Sequence, residues 1–373
     1  MKRLLFYNDS AVMGGHEFMT VELVSALGRL GAYDIHMLFY NELIGTTLPP
    51  GVGRHRLPFA TATPLPFVRN LNPIHISHVE RLIRQLSPDM VVISQGNIEI
   101  GLKGLIAARG AGCRTVSYLP LAYTFSEMGS RFGKVRDIVD RLYYRLPHGC
   151  IVEAPYQAAL LRRLFQGVIQ VIPYPLVVTA PTDLPTAPTP MIRAGINIGI
   201  IGRVYFRHKN QDILPKVAVQ LQSRGIAAVF HILGDGPDLS RLQALVATAG
   251  VDHMFQFHGW MAKQQLHGLV ARSIDVVLIP SHFEGIPLVM LESLALGKPI
   301  LVSRLDFVPS YGIPAKFLID PHDPSGIADK LVALCNETDN SDTARLRDTV
   351  LQEHAQPRFE QAAKEAFRNL ERV

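Results

Sequence analysis

The sequence predicts an α/β protein built from two doubly wound, Rossmann-like domains. Three observations predict it. Short apolar runs alternate with amphipathic helical stretches from end to end, the signature of parallel sheets wrapped by helices. The 373 residues exceed one ordinary domain of about 150–200 residues. Between residues 177 and 195 the run VVTAPTDLPTAPTPMIRAG carries four prolines and no helical or strand period, which reads as a semi-rigid linker. The apolar fraction of 48% against 18% charged suits buried parallel sheets.

In the first half, strands are expected at 3–7, 34–40, 89–94, 114–118, 149–153 and 168–172. Helices are expected at 16–30, 74–86, 98–109, 134–145 and 155–165. The second half repeats the scheme, with strands at 197–201, 228–233, 254–257, 275–279, 299–303 and 317–319. Its helices are expected at 212–223, 238–249, 263–272 and 288–296. Residues 341–373 read as one or two helices broken near Pro357. The expected organisation is therefore a first domain over 1–177, a linker over 178–195, a second domain over 196–345, and terminal helices over 346–373 that return towards the first domain. Open parallel sheets bind ligands outside the carboxyl ends of their strands. Function is thus expected on the loops that follow strands, in a cleft between the two sheets.

The opening Met1-Lys2-Arg3 and the apolar run behind it stop at Asn8-Asp9, too soon for a signal-peptide core or a membrane span. It reads as a first buried strand. Cys113, Cys150 and Cys335 stand singly, without zinc or redox spacing, which fits a reducing cytoplasm. The net charge of +5 is uneven: residues 1–177 hold 18 Lys/Arg against 12 Asp/Glu, the remainder 19 against 20. A basic solvated surface, an anionic membrane and a diphosphate-bearing acceptor all account for it. Nucleic acid is disfavoured, because no basic helix with interleaved aromatics appears.

The strongest chemical signal is Ser281-His-Phe-Glu284-Gly-Ile-Pro-Leu-Val-Met-Leu-Glu292-Ser-Leu-Ala-Leu-Gly-Lys-Pro299. A buried strand ends, a polar loop turns and a helix begins, with Pro287 suited to its first position. The amides of Leu288 and Val289 then point out of the helix N-terminus, where the dipole favours a diphosphate. Two carboxylates around such a site are better used on sugar hydroxyls.

This stretch resembles the GT-B glycosyltransferases of family 4, whose pattern is EGxPxxxxExxAxGxP. Glu284, Gly285, Pro287, Glu292, Ala295, Gly297 and Pro299 stand in matching places. The resemblance implies a retaining transferase, with Glu284 on the donor sugar and Glu292 on the ribose. A second stretch, Gly202-Arg203-Val-Tyr-Phe-Arg207-His-Lys209-Asn210, puts an arginine at a strand end and a lysine six residues on. Both can converge on one diphosphate, and the resemblance gives that role to Arg203 and Lys209; Arg207 competes with them. Gly234-Asp-Gly236-Pro237 resembles the family's nucleotide-pocket loop, though glycine turns after strands are common. Trp260, the sole tryptophan, is placed by the resemblance beside the base; packing of the domain edge is the alternative. In the first domain Gly14-Gly15 matches the family's GG turn and would meet the donor. His16 and Glu17 read equally as a capping turn or a functional pair.

The family's histidine near the reacting sugar has no counterpart at Tyr118-Leu119-Pro120-Leu121, and its last GG-x-x-E run is replaced by Ser303-Arg304-Leu-Asp306. No Asp-x-Asp and no clustered His-Glu-His pattern occurs, so no metal and no other cofactor is expected. The expected partners are a nucleotide-sugar donor, UDP- ahead of GDP-, and a glycan or lipid-linked acceptor in polysaccharide or glycoconjugate synthesis. Acceptor binding falls to the first domain. The expected location is cytoplasmic, with peripheral contact to an anionic membrane through two loops of apolar and basic residues, 64–74 and 121–125. A sugar or sugar-phosphate synthase, a nucleotide-sugar epimerase and a non-catalytic binding homologue are the competing readings. A dinucleotide-dependent oxidoreductase would need a strand–GxGxxG–helix unit, which is missing.

Overall fold

The computed structural model describes residues 1–61, 71–178 and 195–372, so the 179–194 part of the expected linker and most of the 64–74 loop lie outside the described residues. The chain forms two compact units: Met1–Pro175 together with the chain from His354 onward, and Leu176–Glu353.

The first unit contains a seven-stranded sheet with β1 (Lys2–Asn8), β2 (Tyr33–Phe39), β3 (Gly53–Arg56), β4 (Met90–Ser94), β5 (Arg114–Tyr118), β6 (Gly149–Val152) and β7 (Val168–Val171). The order is β3-β2-β1-β4-β5-β6-β7, and all pairs are parallel. Leu4 of β1 faces Ile35 on one side and Met90 on the other. Central β1 is apolar at consecutive positions because helices cover both faces. One face packs Leu5, Tyr7, Val91, Ile93, Leu105 and Cys150 into a single core. On the other face α1 (Gly15–Arg29) meets the last helix of the chain, α15 (Gln356–Leu370).

That last helix is integral to the first unit. Phe359, Ala363, Phe367 and Leu370 are buried along one stripe, and Phe367 lies 6.3 Å from Phe6. Gly149 of β6 has no room for a side chain, since a Cβ would sit 2.5 Å from Leu370. The helix before it, α14 (Ser341–Glu353), belongs to the second unit. The two meet at His354-Ala355, and Pro357 stands in the first turn of α15, where no amide hydrogen is needed.

Further helices of the first unit are α2 (Glu42–Thr47), α3 (Pro73–Leu86), α4 (Leu102–Gly110), α5 (Gly133–Tyr143) and α6 (Pro155–Leu161). Expected at 98, α4 begins at Leu102 because Gly101 adopts a left-handed φ of 71°, which no helix runs through. Gln95 occupies the gap, donating to the carbonyls of Ile98 and Ile100.

The second unit carries β8 (Ile196–Ile201), β9 (Ala228–Leu233), β10 (Phe255–Gly259), β11 (Val276–Ile279), β12 (Ile300–Ser303) and β13 (Leu318–Ile319). Their order is β10-β9-β8-β11-β12-β13, again parallel throughout. Its helices are α7 (Phe206–Lys209), α8 (Leu214–Ser223), α9 (Leu239–Thr248), α10 (Lys263–Ser273), α11 (Leu288–Ala295), α12 (Val308–Tyr311), α13 (Pro324–Cys335) and α14. Among the described residues no helix is long and apolar enough to cross a membrane.

Candidate active site

In each sheet the strand order reverses once, between β1 and β4 and between β8 and β11. Such switch points leave a crevice at the carboxyl ends of the strands. In the second unit the residues expected to carry the chemistry gather there.

The loop after β8 and the loop after β11 are tied together by backbone and side chains. The His282 amide donates to the His208 carbonyl at 2.9 Å, and the His208 ring stacks on Phe283 at 4.5 Å. Buried Asn210 donates to the carbonyls of Pro280 and Pro321, which joins three strand ends. The loop after β9 closes on the same region. Gly234 and Gly236 are required by close approach, since a Cβ would lie 2.1 Å from the Gly202 oxygen and 2.2 Å from the Val204 oxygen. Both glycines therefore have a packing reason of their own.

Glu284 is buried at the centre of this arrangement. It accepts from Lys209 Nζ at 2.5 Å and from Ser281 Oγ at 2.7 Å, and His208 Nε2 stands 3.3 Å away. Burial alone would raise its pKa, but the Lys209 charge and the His208 and Lys209 contacts outweigh it and bring the carboxyl down to about 2. Glu284 is thus an anion at any physiological pH. Gly285, Ile286 and Pro287 behind it are buried. Pro287, expected inside the helix, is instead its N-cap with ψ 110°, because the amides of Met290 and Leu291 both reach back to its carbonyl. Leu288 and Val289 are then the first two helical residues, whose amides have no acceptor within a helix.

Glu292, one turn further, faces α10. Lys263 Nζ lies 2.9 Å from one of its oxygens and His267 Nε2 3.5 Å from the other. Burial pushes its pKa up, and the His267 and Lys263 contacts prevail and lower it. Trp260 is 70% exposed, so it does not pack the domain edge. It follows Gly259, whose φ is 69° and whose backbone bridges to Gly234. Arg203 on the loop after β8 and Arg207 in α7 are both exposed, and Arg203 lies 6.0 Å from the Tyr205 ring. The structure therefore brings Lys209 and Glu284 together as a pair and leaves Arg203 outside it.

In the first unit Gly14 is the N-cap of α1, and its amide donates to Glu17 at 2.9 Å. Glu17 thus caps the helix, with its pKa raised by burial against that hydrogen bond. Gly15 is exposed at the first helical position. His16 turns inward: Nε2 lies 3.0 Å from Ser94 Oγ, which also meets Thr20 and Asn8. Burial drives its imidazole down to about 3, and Nδ1 has no hydrogen-bond partner among the described residues. In the same unit Asp9 and Lys103 form a buried ion pair at 3.1 Å.

Sequence reasoning missed Ser281, His208, Asn210, Lys263, His267, Ser94 and the Asp9–Lys103 pair. Ser281 was findable, three residues before Glu284; the others are joined only by the topology. Among the described residues no group of three or more His, Cys, Asp or Glu is placed to hold a metal.

Comparison with known proteins bears on these features. Residues 196–348 match the family model described as Glycosyl transferases group 1. The D-inositol 3-phosphate glycosyltransferase of Corynebacterium jeikeium is 31% identical over 151 residues, covering 38% of this chain and 36% of that protein. Lipopolysaccharide 1,6-galactosyltransferase of Escherichia coli is 36% identical over 75 residues, 19% of this chain and 20% of that one. The first of these matches spans about a third of its relative's length and the second a fifth. Over the whole chain the fold is shared with solved structures. HepE of Anabaena, in complex with UDP and glucose, has a TM-score of 0.75 at 16% identity and covers 99% of this chain and 100% of its own. Sucrose-phosphate synthase from Thermosynechococcus elongatus reaches 0.80 at 16%, with 99% of each chain covered. Two parallel Rossmann-like sheets in this order, shared with these solved structures, define a GT-B fold. Within that fold the second unit, over residues 196–348, matches the glycosyl transferases group 1.

Proposed function

We propose that this protein transfers a hexose-type sugar, with retention, from a nucleoside diphosphate sugar to a glycan or lipid-linked acceptor. The observation that carries this reading is the buried, ionised Glu284 paired with Lys209 beside the N-terminus of α11. An ammonium has three donors, and Glu284 takes one, so Lys209 keeps donors for a diphosphate oxygen. Exposed Arg203 adds its planar fork, and the amides of Leu288 and Val289 supply the helix end. Stabilising the departing diphosphate is the main electrostatic demand of such a transfer. Glu284, held rigid on three sides, accepts from sugar hydroxyls. Glu292 still has acceptor capacity after Lys263 and His267 and takes the ribose. No carboxylate is assigned as a nucleophile, so attack by the acceptor hydroxyl beside the leaving diphosphate is the favoured course. UDP is the preferred nucleotide, in keeping with the ligand of the Anabaena structure. Trp260 offers its exposed ring to the base. The acceptor falls to the first unit, and the work is placed on the cytoplasmic side of a membrane.

Titration calorimetry with UDP tests the donor half. Glu292→Ala is expected to weaken UDP binding by about tenfold, the worth of one hydrogen bond to a charged group at the low end of its range. Unchanged UDP affinity in that variant would refute the ribose assignment. The transfer is further expected to proceed without a divalent ion, because lysine, arginine and a helix end answer the diphosphate charge. Activity after exhaustive EDTA treatment should stay within about twofold of the untreated enzyme. Complete loss restored by magnesium or manganese would overturn the assignment.

A further inference from the structure

One helix of the first unit is inside out. A helix on a globular protein buries its apolar stripe and shows polar residues to water. In α5 and its leading residue the arrangement is reversed. Phe132 is 61% exposed, Val135 63%, Ile138 67% and Leu142 58%. Steps of three, three and four residues put these side chains on one outward face. The polar residues turn inward instead. Arg136 makes a two-pronged ion pair with buried Glu99 and covers the Phe125 ring. Asp137 accepts from the Phe125 and Ser126 amides, and Asp140 is buried.

The charges around the outward face have one sign. Arg131, Lys134, Arg141 and Arg145 are all exposed, while Asp137 and Asp140, the two acids between 131 and 145, face the protein. An apolar ridge rimmed by four cations, about 16 Å long, matches an anionic lipid surface: rings and aliphatic chains enter the headgroup boundary and the cations meet phosphates. A second copy of the chain fits poorly, since a twofold contact through this face would bring like charges together.

We propose that the outward face of α5 docks the protein on an anionic bilayer. This deepens the reading of a lipid-linked acceptor given above and rests on it for its purpose. It also takes the place of one of the two loops expected to make that contact, because Ala122 and Phe125 of the 121–125 loop are buried, while most of the 64–74 loop lies outside the described residues. Phe125 is sealed beneath Arg136.

The full chain is sedimented with phosphatidylglycerol–phosphatidylcholine vesicles and with phosphatidylcholine vesicles, at low salt and at roughly 0.5 M salt, where attraction is screened. Binding is expected to the anionic vesicles alone and to fall with salt. The triple variant V135S/I138S/L142S should bind at least tenfold more weakly. The quadruple variant R131Q/K134Q/R141Q/R145Q should lose about fivefold per charge removed. Both should keep the wild-type melting temperature and UDP affinity, because the altered side chains are exposed. Absence of binding to anionic vesicles at low salt, or undiminished binding by both variants, would overturn the docking proposal. A wild-type dimer that the triple variant dissociates, without lipid binding, would make a second copy the occupant and overturn it equally. Transfer to a detergent-dispersed lipid-linked acceptor separates the two readings. Its failure with vesicle binding intact removes the acceptor assignment, and its success without vesicle binding removes the docking face.

Discussion

Replacing Glu284 by alanine is expected to lower turnover by about 10²–10³-fold, the cost of losing one oriented group around a developing charge. UDP affinity should change by no more than about threefold. The asymmetry follows from placement. Glu284 sits in the loop ahead of α11, held by Ser281 and Lys209, and touches none of the residues assigned to the base or ribose. Its removal also releases Lys209 from a 2.5 Å ion pair, and a freed ammonium gains rather than loses attraction for a diphosphate. Steady-state kinetics with calorimetry on the same preparation distinguishes the cases. An equal fall in turnover and UDP affinity would move Glu284 from the sugar to the nucleotide.

Lys209→Met should do the opposite damage, to stability. It leaves Glu284 buried without its cation, and breaking one side of a buried pair costs about 3–5 kcal/mol. The pH dependence carries the sign. In the wild type the folded pKa of about 2 lies below the ordinary 4.5. The stabilisation from this carboxylate is complete above 4.5 and disappears as pH falls through about 2. In the variant the His208 contact is left to oppose burial, which is the largest influence, so the folded pKa is expected to rise above the unfolded one and the variant to gain stability on acidification from neutral pH, as the buried carboxyl takes up a proton. Denaturant unfolding across pH 7 to 5 checks this. The double variant Lys209→Met/Glu284→Gln should recover most of the loss while remaining inactive. If it stays as unstable as the single variant, the damage came from lost packing of the lysine stem and not from the orphaned charge.

Much of this fold was legible because its strands are buried on both faces. β11 is an unbroken apolar run, and β1 and β9 carry apolar runs at 4–7 and 228–230; such runs announce themselves. β3, Gly53-Arg-His-Arg56, has no apolar period. It is an edge strand that exists because Gly53 lets the His36 ring lie against it, where a Cβ would come within 2.2 Å. α13 was overlooked despite its signals: Asp323 caps it, Pro324 opens it, and Ile327, Ala328, Leu331 and Leu334 form its buried stripe. In the site, Glu284 and Glu292 could be read because their spacing lies within one loop and helix. Their partners could not. Lys209 meets Glu284 across 75 residues of chain, and nothing in the local sequence says that β8 and β11 lie side by side. The buried His16–Ser94 contact is hidden for the same reason. The residues of the outward stripe of α5 recur at helical spacing, but such spacing does not say which face of a helix meets the protein.

The last helix has a consequence for how the molecule is made. β1 through β7 are synthesised first, yet one face of their sheet is covered by α15, whose residues follow the whole second unit. At about 5–20 residues per second, the intervening stretch leaves that face covered by α1 alone, with the part beneath α15 open to solvent, for about ten to forty seconds on the ribosome. The second unit, contiguous in sequence, meets no such delay. The first half to be translated is therefore the last to be completed, and its stability is sealed only when Phe359, Phe367 and Leu370 emerge.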